Sequence, residues 1–355
     1  MVTKEQVIEA LKTVKDPFVN KSIVELNAIR DLKIKDGLVS VKVALTKLGT
    51  PEQLEVQQHI VQVIKNAGAE SVGIRFEQFT QEQLRQLGVT LEDKEDDDSL
   101  LSPNRKTVFI AVTSGKGGVG KSTVSVNLAV MLRKLGYKVG IIDADIYGFS
   151  VPDMMGIEER PTVKDDVIYP VERFGVKVMS MGFFVEGNAP VIWRGPMLGK
   201  MLNNFFREVH WGELDYLILD LPPGTGDVAL DVHMMLPHSK EIIVTTPHAT
   251  AAFVAARAGA MAIKTNHEIL GVIENMSYFE SKLTGEKEYV FGKGGGKRLA
   301  EELKTELLGQ IPLGQPDIDE SDWAPSVYAE DHPIGKIYKR IAERIAEKTA
   351  AERKK

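Results

Sequence analysis

The sequence predicts an α/β protein, a mostly parallel sheet covered by helices, preceded by a small α+β domain. Three observations lead there. Apolar, β-branched runs alternate with helical stretches across residues 106–355, the order of repeated strand–helix–strand units. The run at 107–112 ends in a glycine-rich turn and then a helix-compatible stretch, as a parallel strand does when it delivers a loop to a helix N-terminus. Residues 1–80 read instead as helix, strand, strand, helix, strand, with an acidic stretch behind them.

Each element has its own signal. Val7, Ile8, Leu11 and Val14 recur at helical spacing, which predicts a helix over 4–14, stopped by Asp16-Pro17. Strands at 29–35 and 38–46 flank Asp36-Gly37, a two-residue hairpin signal. Pro51 opens a second helix with an apolar face of Leu54, Ile60, Val61 and Ile64, and Gly68 is its expected C-cap. A strand at 71–76 completes the domain. Between residues 92 and 98 stand six acids and one lysine without apolar periodicity, so 81–105 is expected to be a solvated, flexible linker. The domain plan is therefore 1–80, 81–105 and 106–355.

In the large domain, strands are expected at 107–113, 138–142, 176–181, 215–221, 241–246, 269–275 and 307–311. Helices fall near 121–135, 196–209, 227–235, 249–264 and 295–304. The turn Gly115-Lys116-Gly117-Gly118-Val119-Gly120-Lys121-Ser122 has the spacing of a phosphate loop, with a strand before it and a helix from Thr123 after it. Glycines let successive N–H groups curve around phosphate oxygens, and the helix terminus adds positive potential. Lys121 is expected to reach the β- and γ-phosphates and Ser122 to hold Mg²⁺. Residues 115–123 are thus the candidate nucleotide-binding set. Two further strands end in acids. Asp143 closes one and is assigned to the Mg²⁺ shell, with Asp145 placed to orient an attacking water. Asp220 closes the other as the metal-holding acid, acting through water, with Gly224 beyond it able to sense a γ-phosphate.

These motifs carry family resemblances. Asp16-Pro17, the Asp36-Gly37 hairpin and Thr50-Pro51 resemble the MIP18-like domain of iron–sulfur assembly proteins. Many members have a cysteine where this chain has Thr50, so the resemblance implies an interaction domain without that reactive group. Lys116 makes the loop resemble the deviant Walker A motif of the ParA/MinD/NifH class of P-loop ATPases. That resemblance implies a homodimer in which the extra lysine crosses to the partner's nucleotide. Residues 143–152, Trp193-Arg194-Gly195-Pro196, residues 220–227 and Glu274-Asn275-Met276-Ser277-Tyr278 resemble the Mrp/ApbC family of iron–sulfur cluster carriers. By that resemblance Asn275 contacts adenine, and the loop holding Pro312 lies against the base or ribose. The implied activity is slow, switch-type ATP hydrolysis, with Lys116, Lys121 and Asp145 in the catalytic set.

The chain departs from that family at one place. Members usually carry a C-x-x-C after Met-Ser-Tyr-Phe, and here Ser281 and Thr284 occupy those positions. Hydroxyls do not replace thiolates on iron–sulfur clusters. There is no cysteine among the 355 residues, so this chain alone is not expected to ligate a cluster. The alternative is a reading on the cysteine-less SalA-like branch, an ATP-switched transcriptional regulator that binds DNA. Iron–sulfur assembly proteins, client apoproteins and DNA are the partners under consideration.

Composition narrows the field. A net charge of −6 gives no support to wholesale nucleic-acid binding. No apolar run approaches the roughly 20 residues that span a bilayer, and the first residues lack a signal-peptide core. The expectation is a cytoplasmic protein with no membrane partner. The seven histidines show no metal-ligand spacing. The glycine run at 292–296 lacks phosphate-loop spacing and reads as a turn and helix start. Ile334, Ile337, Ile341 and Ile345 form a stripe on a last helix whose lysines and arginines read as its solvated face.

Overall fold

The computed structural model describes residues 2–35, 37–46, 51–80, 83–84, 87, 99–102, 105–145, 148–164, 167–184, 195–281, 283–317 and 323–353. Asp36, Thr50, Trp193, Arg194 and most of the 81–105 linker lie outside them. The chain divides into two compact units, Met1–Lys94 and Glu95–Lys355.

The first unit is built around a three-stranded sheet. Its first helix, α1 (Lys4–Leu11), starts in a capping box. Gln6 donates its backbone N–H to the Thr3 hydroxyl, and the Gln6 side chain accepts from the Thr3 N–H. The helix stops three residues short of the sequence expectation, because Val14 donates to the Leu11 carbonyl in a tighter turn. Strand β1 (Ile29–Lys35) pairs antiparallel with β2 (Leu38–Leu45), with Lys35 opposite Leu38. That register needs a two-residue turn, and Gly37 takes a φ of 78° in it. The crossover helix α2 (Pro51–Asn66) leads to β3 (Ser71–Gln78), parallel to β2. Val39, Val41 and Val43 alternate onto one face of β2 and meet Val7, Leu11, Ile60 and Ile64 in the core. Asp16 is buried there and accepts from the Thr46 N–H at 2.9 Å and the Thr46 hydroxyl at 2.7 Å.

The second unit opens with β4 (Val108–Ser114), α3 (Lys121–Lys134), β5 (Val139–Asp143) and the short α4 (Val151–Met155). Three small strands follow, β6 (Thr162–Lys164), β7 (Val167–Tyr169) and β8 (Val171–Arg173), and then β9 (Val176–Ser180). The chain continues through α5 (Gly195–Arg207), β10 (Tyr216–Asp220), α6 (Asp227–Met235), β11 (Lys240–Thr245), α7 (Ala249–Lys264) and β12 (Glu268–Glu274). It closes with the hairpin β13 (Phe279–Glu280) and β14 (Lys287–Glu288), α8 (Gly295–Glu302), β15 (Leu307–Gln310), α9 (Pro333–Lys348) and α10 (Ala350–Arg353).

Eight of these strands form one sheet, in the order β15-β12-β11-β4-β10-β5-β9-β8. All neighbours are parallel except the antiparallel edge strand β8. Alternation along β10 shows why both faces are covered. Tyr216 and Ile218 join a core with Val126, Val130, Ile341 and Ile345, while Leu217 and Leu219 join Leu202, Phe205 and Trp211 on the other side. The seven expected strands and the five helices are present within two residues at each end. The small strands β6–β8 and helix α4 were not foreseen. They are three to five residues long, too short to show a period. On α9, Lys339 pairs with Glu330 and Arg344 with Glu306 and Glu347, so these cations form a solvated, ion-paired face. Among the described residues no helix is long and apolar enough to cross a membrane.

Candidate functional site

Parallel order places β4 between β10 and β11, so their carboxyl ends open at one crevice. Residues 115–120 leave β4 there and enter α3. Gly118 and Gly120 both sit at φ of 80°, where a side chain is strained. Gly115 is forced by proximity instead, because a Cβ would lie 2.3 Å from the Ala255 nitrogen. The small residues of α7, Ala251, Ala252, Ala255, Ala258 and Gly259, are what let the loop approach that helix. Val119 is buried and anchors the loop from inside. Helix α3 carries Arg133 and Lys134 in its last turn, where cations favour the helix dipole.

The Lys121 and Ser122 side chains both turn onto Asp220 at the end of β10. Lys121 Nζ donates to Asp220 Oδ1 at 2.7 Å, and Ser122 Oγ donates to Oδ2 at 2.6 Å. Ser125, one turn along α3, donates to Oδ1 at 2.6 Å. The Lys121 side chain is 6% exposed and that of Asp220 is fully buried, so this is a desolvated ion pair. Ser125 was not singled out from sequence. Its signal was a serine among the mostly apolar buried residues of a helix that begins at the phosphate loop.

Asp143 stands beside Asp220 in the register of β5 on β10. Its carboxylate accepts from the backbone N–H groups of Asp145, Ser150 and Val151 at 3.2, 3.0 and 3.2 Å and from Ser180 Oγ at 3.1 Å. Burial, and then the Asp220 charge, push its carboxyl up to about 7, against the pull of those amides and of Lys121. Asp143 thus organises the start of α4 as well as standing near the crevice. Asp145 is half-buried and follows two residues later.

Lys116 is exposed on the loop, and its carbonyl accepts from Ser114 Oγ at 3.0 Å. Gly117 lies beside Pro223. The Gly224 N–H, expected to sense phosphate, here donates to the Ser114 carbonyl at 2.7 Å. Thr123 sits over Met154 with its hydroxyl 3.9 Å from the sulfur. Asn275 follows β12, is buried, and donates from Nδ2 to the Val119 carbonyl at 2.9 Å. In this structure it braces the phosphate loop. Pro312 is half-buried in the segment leaving β15. That segment is tied to the 275–278 turn through Ser277 N–H on the Ile311 carbonyl and Leu313 N–H on the Tyr278 carbonyl, both 2.8 Å.

The chemistry of this donor set is hard. A serine hydroxyl and a carboxylate, with a lysine and open amides beside them, suit a Mg²⁺ ion that brings waters and phosphate oxygens of its own. The hairpin of β13 and β14 does not suit a cluster. Ser281 Oγ accepts from the Leu283 and Thr284 N–H groups at 3.3 Å each, and Thr284 Oγ1 accepts from the Glu286 N–H at 3.2 Å. Both hydroxyls serve the turn itself. No thiolate exists in the chain to replace them.

The model of the NUBPL iron-transfer P-loop NTPase family matches residues 105–346, more than half of the chain. This chain belongs to that family. The N-terminal unit of this P-loop NTPase also matches, over residues 4–75, a family described as iron–sulfur cluster assembly protein. An iron–sulfur cluster carrier protein of Bacillus subtilis is 63% identical over 354 residues, covering 99% of this chain and 100% of that protein. One of Mycobacterium leprae is 41% identical over 355 residues, covering 97% and 92%. Among solved structures, a nucleotide-binding protein from Archaeoglobus fulgidus in complex with ADP aligns with a TM-score of 0.54 and 39% identity. It covers 70% of this NTPase and 93% of its own chain. The fold, the family and the phosphate-loop class expected from sequence are those of this NTPase.

Proposed function

We propose that this P-loop NTPase binds and slowly hydrolyses Mg-ATP as a nucleotide-gated homodimer. The observation that carries the reading is the buried knot of Lys121, Ser122 and Asp220 at the mouth of a glycine loop. Residues 115–123 cradle the phosphates. Lys121 leaves Asp220 for the β- and γ-phosphate oxygens, which frees the carboxylate and the Ser122 hydroxyl. Those two groups, with Asp143 behind, would hold Mg²⁺, which supplies charge neutralisation on the phosphates. Asp145 orients the water, and Lys116 reaches the nucleotide of a second copy. Asn275 and the Pro312 segment border the base. Residues 1–80 act as a docking domain, joined through the 81–105 linker to the motor at 106–355.

Isothermal titration of the full chain with Mg-ATP tests this. Saturable binding that Lys121→Ala abolishes is the expected result, and heat indistinguishable from buffer dilution would overturn it. Sizing with and without Mg-ATP reads the dimer.

What the switch drives has two readings. The first keeps the family role in iron–sulfur assembly, with partners or client apoproteins supplying the cluster ligands. The second, a SalA-like regulator that contacts DNA when loaded with ATP, is favoured by the hydroxyl-capped turn at Ser281 and Thr284, where a chain that ligates a cluster itself would need thiolates. Anaerobic iron–sulfide reconstitution separates them: a stable chromophore at stoichiometric iron supports the carrier. A gel shift over genomic fragments that requires Mg-ATP supports the regulator.

A further inference from the structure

Away from the phosphate site, a buried polar chain joins α6 to the sheet. His233 on α6, Glu241 on β11 and His267 ahead of β12 are 5%, 1% and 6% exposed. His233 Nε2 lies against Glu241 Oε1 in an ion-pair contact, and neither atom makes a hydrogen bond among the described residues. Glu241 Oε2 lies 3.4 Å from the Thr113 hydroxyl of β4. Behind the pair, His233 Nδ1 is 3.1 Å from Thr265 Oγ1, and that oxygen is 2.9 Å from His267 Nδ1. His267 Nε2 is 3.1 Å from the Leu236 carbonyl. The two imidazoles stack with centroids 4.2 Å apart.

Donor and acceptor rules allow one consistent set of hydrogens along this chain. The Leu236 carbonyl can only accept, so His267 Nε2 carries a hydrogen. In neutral His267, Nδ1 then accepts, and the single Thr265 hydroxyl hydrogen fills it. Thr265 Oγ1 in turn accepts from His233 Nδ1–H. His233 Nε2 is left facing Glu241 Oε1 in a dry site, where the loss of either side chain strands the other. The Thr265 hydroxyl also lies 2.9 and 3.1 Å from the Met261 and Ala262 carbonyls.

The position of this chain gives it a role. Residues 221–235, the loop after Asp220 and helix α6, are tied to β4 at both ends. At the near end Leu221 donates to the Val112 carbonyl at 3.2 Å and Gly224 to the Ser114 carbonyl at 2.7 Å. At the far end His233 reaches Thr113 through Glu241. Val112, Thr113 and Ser114 are the three residues ahead of the phosphate loop.

We propose that the His233–Glu241 pair is a buried polar clasp that sets the position of the 221–226 loop for the nucleotide reaction, which makes His233 a positioning residue. It rests on the Mg-ATPase reading above. The ionisable groups that face His233 are Glu241 from β11 and His267 from the segment before β12, with the Thr113 and Thr265 hydroxyls beside them. Asp231, on α6 itself, is turned to α5, where a Cβ on Gly199 would lie 2.6 Å from its carboxylate.

The test uses the full chain with Glu241→Gln, His233→Leu, and the pair His233→Leu with Glu241→Leu. Glutamine keeps a polar partner for His233 Nε2. Glu241→Gln is therefore expected to hold kcat and KM for Mg-ATP near those of the parent. His233→Leu is expected to lower kcat by roughly tenfold to a hundredfold through misplacement of the loop. It should also speed amide exchange across 221–235 about tenfold or more. If that variant fails to fold, the double variant removes both ionisable groups together and carries the exchange measurement. Unchanged exchange across 221–235 in His233→Leu overturns the proposal, as does a kcat that falls as far in Glu241→Gln as in His233→Leu. Should the parent hydrolyse no ATP, the ATPase reading fails by itself. The exchange data and the imidazole nitrogen shifts of His233, read without nucleotide, then decide the clasp, and shifts that ignore Glu241→Gln refute it.

Discussion

Removing one partner of the Lys121–Asp220 pair should destabilise the nucleotide-free protein unequally. Asp220→Ala leaves an ammonium whose side chain is 6% exposed without its acid. Breaking a buried pair in this way costs about 3–5 kcal/mol. Asp143 works the other way, since the loss of Asp220 removes a charge that holds its carboxyl up, so about 3–4 kcal/mol is expected within that range. Lys121→Ala leaves the Asp220 carboxylate buried but still accepting from Ser122 and Ser125 at 2.6 Å each. Hydrogen bonds to a charged group contribute about 1.5–3 kcal/mol each, which reduces this cost to roughly 1–2 kcal/mol. In a unit of this size 1 kcal/mol moves Tm by about 2–4 °C. Thermal unfolding in EDTA should therefore lower Tm by roughly 6–16 °C for Asp220→Ala and about 2–8 °C for Lys121→Ala. Equal shifts, or the larger one for Lys121→Ala, would refute the argument that the serines solvate Asp220.

Other outcomes follow from single geometries. The Asp143 carboxyl is raised in the folded state to about 7, so its contribution is whole below its unfolded pKa of about 4 and is lost as pH rises through the folded value. The Tm of Asp143→Asn relative to the parent, both in EDTA, should accordingly climb from about pH 5 to about pH 8, and a flat difference would contradict this. Gly120→Ala places a Cβ 2.1 Å from Asn275 Nδ2 at a φ of 80°. Left-handed strain of about 1–2 kcal/mol and the loss of the Asn275–Val119 bond should cost roughly 4–12 °C of Tm, seen by calorimetry, along with Mg-ATP affinity. Asn127 is fully buried, donates to the Thr123 and Ser326 carbonyls at 2.8 and 2.7 Å and accepts from the Tyr328 N–H at 2.9 Å. Asn127→Leu orphans those groups, and a lower urea midpoint, by about 2–4 kcal/mol of stability, is expected.

What could be read from the sequence was set by periodicity and spacing. The central strands are apolar on both faces, so their runs were unbroken, and the acids Asp143 and Asp220 at their ends stood out by contrast. The loop spacing located Lys121 and Ser122 because the chemistry is local in the chain. Contacts made at a distance left no such mark. Nothing near Lys121 announces that Asp220, 99 positions on, takes up its charge in this structure. Asn275 offered a motif, yet its hold on the Val119 carbonyl depends on how β12 lies against the loop. His233 and His267 lacked metal-ligand spacing; in the structure His233 meets Glu241 and Thr265, and His267 meets Thr265 and the Leu236 carbonyl. These contacts are tertiary and had no sequence signal at all.

The hairpin between Met276 and Tyr289 is held by hydroxyls at the positions where the sequence resemblance puts a C-x-x-C. A cluster-bearing turn is held from outside, by metal–sulfur bonds. Here the turn is held from inside. Ser281 receives two N–H groups and Thr284 one, and Gly285 accepts the positive φ of 71° that the reversal requires. Lys287 covers the Tyr278 ring at 4.3 Å, and Tyr278 and Tyr289 lie 6.3 Å apart. Serine and threonine are the residues that make such side-chain turns, whereas cysteine is a poor acceptor of N–H bonds. Restoring cysteines at 281 and 284 would therefore remove turn contacts while adding ligands, and a gain of iron binding in that variant would come with a looser hairpin in the metal-free state. The phosphate loop remains intact across the same unit, so under the proposed function the output of an ATP switch is to be sought in what this hairpin touches.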